Sequence, residues 1–158
     1  MKTIIHSITR TTGQAVPLLL RFTLALVFFP HGAQKVLGWF GGYGFTGTMG
    51  YFTGTMGLPY AVALLPVLTE FLAPFALVAG LGTRIAALAV GFEMLVAIAT
   101  VHAANGFFMN WFGAQKGEGY EYHLLVIGIA LALIVQGAGR WSVDQAIANG
   151  TGNQPEND

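Results

Sequence analysis

The sequence predicts an all-α protein, a membrane four-helix bundle with a short interfacial or re-entrant helix between the first and second spans. The first observation is composition: 54% of the 158 residues are hydrophobic and only 9% are charged, whereas soluble domains carry about 25% charged residues. The second is four apolar runs, each within the ~17–25 residues that a membrane helix needs. The third is the few charges inside these runs, which must face a bundle interior because lipid does not solvate them.

The first span covers roughly residues 15–37 and carries the charges that organise the bundle. A charged side chain in the bilayer costs about 3 kcal/mol on insertion scales, so Arg21 should face other helices or an aqueous cavity. At about 100° per residue, Arg21 and Lys35 fall almost in line, and His31 lies one turn from Lys35. Pro30 predicts a kink just before His31. The remaining helices must therefore cover one polar face.

A glycine-rich segment follows, in which the hexapeptide FTGTMG occurs at Phe45–Gly50 and again at Phe52–Gly57. The larger side chains of the two copies recur on one helical face: Phe45, Met49, Phe52 and Met56. We expect a short interfacial or re-entrant helix here that covers the bundle. Because glycine weakens helices, a flexible glycine-rich loop is the alternative.

Three further spans run from Pro59 to about Leu81, from about Thr83 to Val101 and from about Glu121 to Gly137. The turn Ala79–Gly82 is so short that the second and third spans should form an antiparallel hairpin. Residues 1–14 form an N-terminal lead-in, residues 15–147 the four-span bundle and residues 148–158 a disordered polar tail.

Lysine and arginine near the span ends predict the orientation. Lys2, Arg10, Arg84 and Arg140 fall on one side, which the positive-inside rule assigns to the cytoplasm, together with both termini. The other connections carry most of the aromatic residues: Trp39, Phe40, Tyr43, Phe45, Tyr51, Phe52, Tyr60, Phe107, Phe108, Trp111, Phe112, Tyr120 and Tyr122. This one-sided crowding indicates a semi-embedded cap, a ligand mouth or a docking face.

The intramembrane polar residues sort into two layers when depth is counted at ~1.5 Å per residue. The inner layer is Arg21, Glu70 and Glu93, and the outer layer is His31, Lys35, His102 and His123, with Glu121 nearby. The inner layer is interpreted either as an ion-pair network that holds the helices together or as a set with one glutamate in excess, which holds or exchanges a proton.

The outer layer also has two interpretations. Its cationic groups could simply reach the lipid headgroups, or His31 and Lys35 could hydrogen-bond a quinone carbonyl or a small anion. His31 and His123 could ligate haem b, but no small-residue clearance for a porphyrin is evident, so haem is disfavoured. Glu93 and His102 are nine residues apart, on opposite faces of an α-helix, and can share a site only if the helix bends.

Several function classes are excluded for this chain by residue type. The absence of cysteine excludes disulfides, thiolate nucleophiles and cysteine-ligated metal centres. No GxSxG motif, phosphate loop or i, i+4 histidine pair occurs, so no hydrolytic or metal site is predicted. The net charge of zero gives no reason to expect a nucleic-acid partner.

Over about residues 16–145 the sequence resembles the DoxX family of small bacterial membrane proteins. The resemblance rests on four elements: Arg21 with the HGxxK of His31, Gly32 and Lys35; Glu70 followed by the Gly80, Thr83 and Arg84 turn; GYEY at Gly119–Tyr122; and GRxSxD at Gly139, Arg140, Ser142 and Asp144. It implies four transmembrane helices in the bacterial cytoplasmic (inner) membrane. It also implies a link to redox metabolism, since relatives are associated with thiosulfate:quinone oxidoreductase and with a membrane complex that handles thiol and oxidative stress. His123 stands where the family often has proline.

We therefore expect an inner-membrane subunit of a redox system, embedded in the lipid bilayer, that binds a quinone or similar lipophilic redox molecule. The candidate residues for ligand binding or proton handling are Arg21, His31, Lys35, Glu70, Glu93 and His123, and no catalytic residue is assigned. The alternatives are a non-catalytic scaffold that docks a partner oxidoreductase at the aromatic face, and a small-molecule or lipid transporter. A homodimer could form through the small-residue runs Ala79–Gly82 and Ala87–Gly91.

Overall fold

The computed structural model describes residues 9–150, and every regular element within them is helical. The α-helices that lie wholly in this range are α1 (Val16–Leu37), α2 (Gly44–Gly50), α3 (Tyr60–Ala79), α4 (Thr83–Ala97), α5 (Glu121–Gln136) and α6 (Val143–Gly150). Short 3₁₀ turns occur at Trp39–Gly41 and Ala103–Asn105, and π-helical segments at Tyr51–Thr55 and Ile98–His102. The predicted all-α fold is confirmed.

Three helical segments of the described chain are long and apolar enough to cross a membrane: Val16–Leu37, Tyr60–Ala79 and Thr83–Asn105. The apolar helix α5 has 16 residues, or about 24 Å at the α-helical rise. It completes the membrane bundle, although it is shorter than a bilayer core of about 30 Å. That α5 also crosses the membrane remains our expectation from its composition.

The bundle is built from two helix pairs, α1 with α3 and α4 with α5, which the α3–α4 hairpin joins. Large side chains such as Leu24, Phe28 and Leu133 are buried between the helices, whereas Leu26 and Val135 are exposed on the outside. An apolar exterior is what a helix bundle solvated by lipid requires, because lipid takes the place of water around it. The short α3–α4 turn forms the hairpin that the sequence predicts.

Two of the glycines proposed as dimer contacts pack inside the chain. Gly91 of α4 packs against Ala130 of α5, with only 3.3 Å between an ideal Cβ at Gly91 and the Ala130 Cβ. The space beside Gly80 is filled by Ser142 and by the Arg21 guanidinium. Ala79 is exposed and Gly82 has open space around it, so a homodimer through these runs remains a prediction.

The glycine-rich segment forms the predicted short helix, α2, rather than a loop without regular structure. Its Met49 is buried, and it packs with Ala63 and Val67 of α3, with Phe52 partly buried against them. Phe45 and Met56 of the predicted stripe are exposed instead. Met56 follows the π-helical segment Tyr51–Thr55, where the α-helical phase is lost.

One end of the bundle is closed by a hydrogen-bonded assembly that we call the clasp; it consists of Arg21, the turn 80–84 and residues 139–144. Arg21 is fully buried. It donates through Nη1 to the carbonyls of Leu77 and Val78 at 2.7 and 3.1 Å, and through Nη2 to those of Arg140 and Trp141, both at 3.2 Å. It thus supplies donors to carbonyls that the end of α3 leaves without helical partners.

Asp144 forms the second part of the clasp. Its carboxylate accepts hydrogen bonds from the backbone N–H groups of Gly82 at 2.8 Å and Thr83 at 3.0 Å. A carboxylate is stabilised at this position because the N-terminus of α4 presents free donors and a positive dipole end. The Asp144 N–H in turn donates to the Gly80 carbonyl at 3.0 Å, so α6 is fastened to the α3–α4 turn.

Arg84 satisfies the end of α5 in the same way. It donates to the Ile134 carbonyl, and through Nη2 to the carbonyls of Val135 at 3.1 Å and Arg10 at 2.9 Å. The Thr12 N–H also donates to the Gln136 carbonyl at 3.3 Å. The described ends of the chain therefore lie together at the clasp end. That this end faces the cytoplasm remains a prediction from the charge distribution.

The sequence did not predict α6, whose last residues, 148–150, fall in the segment expected to be a disordered tail. An eight-residue helix after a glycine-rich break shows little periodicity, and its contacts come from Asp144 at long range. The rest of that tail, 151–158, and residues 1–8 of the predicted lead-in lie outside the described residues.

We expect Asp144→Ala to lower the free energy of unfolding by about 2–3 kcal/mol, because the start of α4 loses two charge-assisted hydrogen bonds. SDS-induced unfolding of the purified protein in mixed micelles measures this difference. Asn149→Ala, at an exposed position of the same helix, is the matched control and should change stability by less than about 0.5 kcal/mol. Equal stability of the two variants would show that the clasp does not hold the fold.

Gly32 marks the closest approach of α1 and α3, since a Cβ there would overlap the backbone of Glu70 and Phe71. We expect Gly32→Ala to lower the free energy of unfolding by about 1–3 kcal/mol, because the two helices must move apart. Gly128→Ala is the control: it lies on α5 with open space around it, and it should leave stability unchanged or raise it by up to about 1 kcal/mol. A neutral Gly32→Ala variant would contradict this packing.

Candidate functional site

A cavity of about 450 Å³ lies between the four long helices at the end opposite the clasp. Five of the six predicted candidate residues line it: His31, Lys35, Glu70, Glu93 and His123. Val27, Phe28, Met94 and Ala97 form apolar wall, and Met109, Glu118 and Tyr122 complete the lining with His102. The two predicted layers thus share one cavity, apart from Arg21.

Lys35 of α1 and Glu70 of α3 form a direct ion pair in this cavity. The pair depends on Gly32, one turn before Lys35, whose missing side chain lets α1 lie against the backbone at Glu70. The side chains of Lys35 and Glu70 are only 23% and 11% exposed. A charged pair that is this well shielded interacts more strongly than one in water.

Glu93 of α4 lies against Glu70, within hydrogen-bonding reach of its carboxyl group. Its Oε2 atom is buried, and no donor within residues 9–150 reaches it. Two carboxyl groups can hydrogen-bond to each other only when one of them carries a proton. Two carboxyl groups thus face one cation, Lys35, so the pair of carboxyl groups can bind one proton.

Arg21 does not join this cluster, so the predicted inner group of Arg21 with Glu70 and Glu93 is wrong. Arg21 lies beside Leu77 and Val78 in the clasp. Seven residues of helix separate Leu77 from Glu70, or about 10 Å at the α-helical rise. Counting depth along each helix does not determine how α1 and α3 are aligned. In the observed alignment Glu70 pairs with Lys35, and Arg21 binds the carbonyls at the end of α3.

His102 reaches the cavity because the chain leaves the α-helical path after Ala97. In a continuous α-helix, Glu93 and His102 would lie on opposite faces. The π-helical segment Ile98–His102 changes that phase, as such segments do at many functional sites. Both side chains line the cavity as a result. The sequence predicted that they could share a site only if this helix bends, and the π-helical segment provides that distortion.

The imidazole rings of His102 and His123 are in contact, with their centroids 4.1 Å apart and their planes tilted by 45°. The Nδ1 atom of His102 lies 2.8 Å from the Glu118 carbonyl oxygen. Since a carbonyl only accepts, this contact places a proton on Nδ1 and leaves Nε2 as the basic atom of neutral His102. His123 is 7% exposed, and its Nδ1 has no hydrogen-bond partner in the described part of the chain.

The connection between α4 and α5 folds over this end of the cavity, and we call residues 106–120 the lid loop. Glu121 accepts a hydrogen bond from the Met109 N–H at 2.9 Å, and Glu118 accepts one from the Asn110 N–H at 2.7 Å. These two carboxylates fix the loop through its backbone. The sequence places Glu121 near the outer layer, and in the structure its carboxylate holds the lid loop by this hydrogen bond.

Three buried polar atoms of the cavity have no hydrogen-bond partner among residues 9–150: Glu93 Oε2, the Tyr122 hydroxyl and His123 Nδ1. Buried polar atoms are nearly always paired in native proteins, so these three are groups that water or a ligand can pair. Four further unpaired atoms in the described chain lie outside the cavity: Thr12 Oγ1, Arg21 Nε, Thr83 Oγ1 and Gln136 Oε1. Tyr122, His102 and Glu118 were not predicted as site residues. Tyr122 resembles an interfacial aromatic in sequence, and His102 is hidden by the change of helical phase. In residues 9–150, no three His, Asp or Glu side chains converge as a metal site.

A second, smaller cavity of about 270 Å³ lies under α2, on the other side of Lys35. Its polar lining comes from Gln34, Thr48, Tyr43 and Tyr51. Lys35 borders both cavities, so its ion pair with Glu70 lies between the smaller cavity and the main cavity.

The fold and this cavity define an integral membrane protein of the helical-bundle class with an internal polar site. Residues 16–103 match the DoxX family. The chain is also 33% identical over 144 residues to an uncharacterized protein of Haemophilus influenzae, in a match that covers 85% of each chain. No solved structure matches it. The chain belongs to the DoxX family.

We expect Glu70→Ala to lower the free energy of unfolding by about 3 kcal/mol, because Lys35 is left shielded and without its partner. The double variant Lys35→Met/Glu70→Leu should recover most of this loss, since it removes both charges and keeps the volume. The comparison is made by SDS-induced unfolding of the two variants and of Lys35→Met alone. A double variant no more stable than Glu70→Ala would show that the two residues are not a coupled pair.

Proposed function

We propose that this protein is a membrane-embedded subunit of a redox system that binds a quinone, or a similar lipophilic redox molecule, in the main cavity. The observation that carries the proposal is the set of three unpaired buried polar atoms in a cavity that also holds the Lys35–Glu70 pair. Such a site offers both donors and acceptors to a ligand that enters a membrane bundle.

The lining supports a ligand that is apolar in its body and polar at its edge. Val27, Phe28 and Ala97 provide apolar wall beside the charged cluster. The volume, about 450 Å³, falls within the range of about 300–1,000 Å³ that is typical of small-molecule sites. A quinone ring has this character, because its carbonyl oxygens accept hydrogen bonds and the rest of the ring is apolar.

In this proposal each polar residue has a separate role. His31 is exposed where it lines the cavity, and with Lys35 it donates hydrogen bonds to a carbonyl oxygen of the ligand. Glu70 and Glu93 hold the proton that a reduced quinone needs or releases. Arg21 supports the site from the clasp by holding α1 and α3 in register. The electrons come from a partner oxidoreductase, since the chain has no cysteine for thiol redox chemistry.

A non-catalytic scaffold is the second candidate function, and the lid loop favours it. Its Phe112 and Trp111 are 96% and 79% exposed, which is unusual for large aromatic side chains unless lipid or a partner covers them. A partner oxidoreductase docked on this aromatic face would then perform all the chemistry.

Binding of a short-chain ubiquinone analogue to the protein in lipid nanodiscs tests the two candidates. By isothermal titration calorimetry we expect Lys35→Met to raise the Kd at least about tenfold, equivalent to about 1.4 kcal/mol, because the donor to the carbonyl is lost. Lys116→Met, at an exposed position of the lid loop, is the matched control and should bind like the unaltered protein.

Native mass spectrometry of the gently solubilised protein provides the second measurement. A bound quinone that is retained by Lys116→Met and lost by Lys35→Met supports the proposal. Unaltered protein that binds no analogue and carries an unrelated polypeptide instead would overturn it and favour the scaffold.

A further inference from the structure

The polar side chains of the cavity form a row that runs from the acid pair to the lid loop. The row begins at Glu70 and Glu93 and ends at Glu118, which is exposed. Between them lie Tyr122, His123 and His102, residues from α5 and from the π-helical end of α4. All of these side chains border the same cavity.

The members of the row are neighbours of one another. Tyr122 lies within electrostatic range of Glu70. The ring centroids of Tyr122 and His123 are 5.7 Å apart, and those of His123 and His102 are 4.1 Å apart. His102 then contacts the Glu118 backbone at 2.8 Å. The row therefore crosses from the membrane-embedded acid pair to the lid loop through groups that all bind protons.

The unpaired atoms fall on this row and not elsewhere in the cavity. Glu93 Oε2, the Tyr122 hydroxyl and His123 Nδ1 are buried without a partner in the described chain. A polar cavity of this volume can hold water, and buried water bridges such atoms at nearly the strength of a direct hydrogen bond.

We propose that Tyr122, His123 and His102 form a proton pathway between the Glu70–Glu93 pair and the lid-loop end of the bundle. The inference rests on the proposed function of the cavity but not on the identity of its ligand. A proton leaves the carboxyl pair and passes through the Tyr122 hydroxyl and water to His123 Nδ1, and His123 then releases the proton on its Nε2. That proton binds the basic Nε2 of His102, which in turn releases its Nδ1 proton to the water outside. Only O–H and N–H bonds break and form, and no electron moves along the row.

Charged groups lie at both ends of the row. Lys35 and His31 of α1 lie beside the acid pair, and Glu118 lies at the exposed end. Lys35 is already paired with Glu70, whereas the Glu118 carboxylate attracts a proton on the histidines toward the lid loop. The site would thus exchange its protons with the lid-loop side of the membrane and not with the clasp side, where Arg21 and Asp144 are occupied by backbone groups.

Infrared spectroscopy of the protein in supported bilayers tests this pathway without any ligand. A protonated carboxyl gives a C=O band, which shifts when the film is changed from H₂O to D₂O, and the rate of the shift reports proton access. We expect Glu93→Gln to remove the band and thereby assign it. Tyr122→Phe and His123→Phe should keep the band but slow its exchange by about 100-fold, as expected when a positioned proton carrier is lost.

Met109→Leu, which changes a residue of the same cavity that carries no proton, is the matched control and should exchange at the unaltered rate. His123→Ala provides a test that does not depend on one substitution, since added imidazole should restore its exchange rate. Unaltered exchange in both Tyr122→Phe and His123→Phe, or the absence of any protonated carboxyl band, would overturn the pathway. Normal binding of the ubiquinone analogue by the unaltered protein would keep that failure separate from a failure of the proposed function.

Discussion

The cost of placing a charge inside an apolar bundle explains most of this structure. Arg21 and Arg84 are compensated by carbonyls at the ends of α3 and α5, and Asp144 by N–H groups at the start of α4. Each of these charges thus completes a helix end that would otherwise leave polar groups unsatisfied. Lys35 is compensated by Glu70. Glu93 is the exception in the described chain, because its neighbour is another carboxyl group.

This division separates the structural charges from those that can serve a function. The clasp residues gather at one end of the bundle, where their partners are fixed backbone groups that a ligand cannot easily replace. The cavity residues gather at the other end, where the partners are side chains and where open space adjoins the unpaired polar atoms of Glu93, Tyr122 and His123. Polar side chains that hold helices together and polar side chains that act on a ligand therefore occupy different depths of one small bundle.

Much of the fold could be predicted from the sequence, because apolar runs of membrane length and a short α3–α4 turn are local signals. The candidate residues were predictable for the same reason: a charge or histidine in an apolar run stands out. Which of these residues contact one another was not predictable. Pairing Arg21 with the glutamates was wrong because helix register depends on Gly32 and on the clasp, which are tertiary features. His102 was set aside because a π-helical segment cannot be recognised in an alanine- and valine-rich stretch.

The residues that carry the resemblance to the DoxX family therefore fall into two groups, one in the clasp and one in the cavity. Ser142 and Asp144 of the GRxSxD element and Thr83 of the turn lie in the clasp, where they position helices. His31, Lys35 and Glu70 lie in the cavity. Gly32 connects the two sets, since the close approach that it permits fixes both the Lys35–Glu70 pair and the register that brings Arg21 to the end of α3. Because this single contact sets the register at both ends, a larger residue at Gly32 would disturb the ion pair and the clasp together.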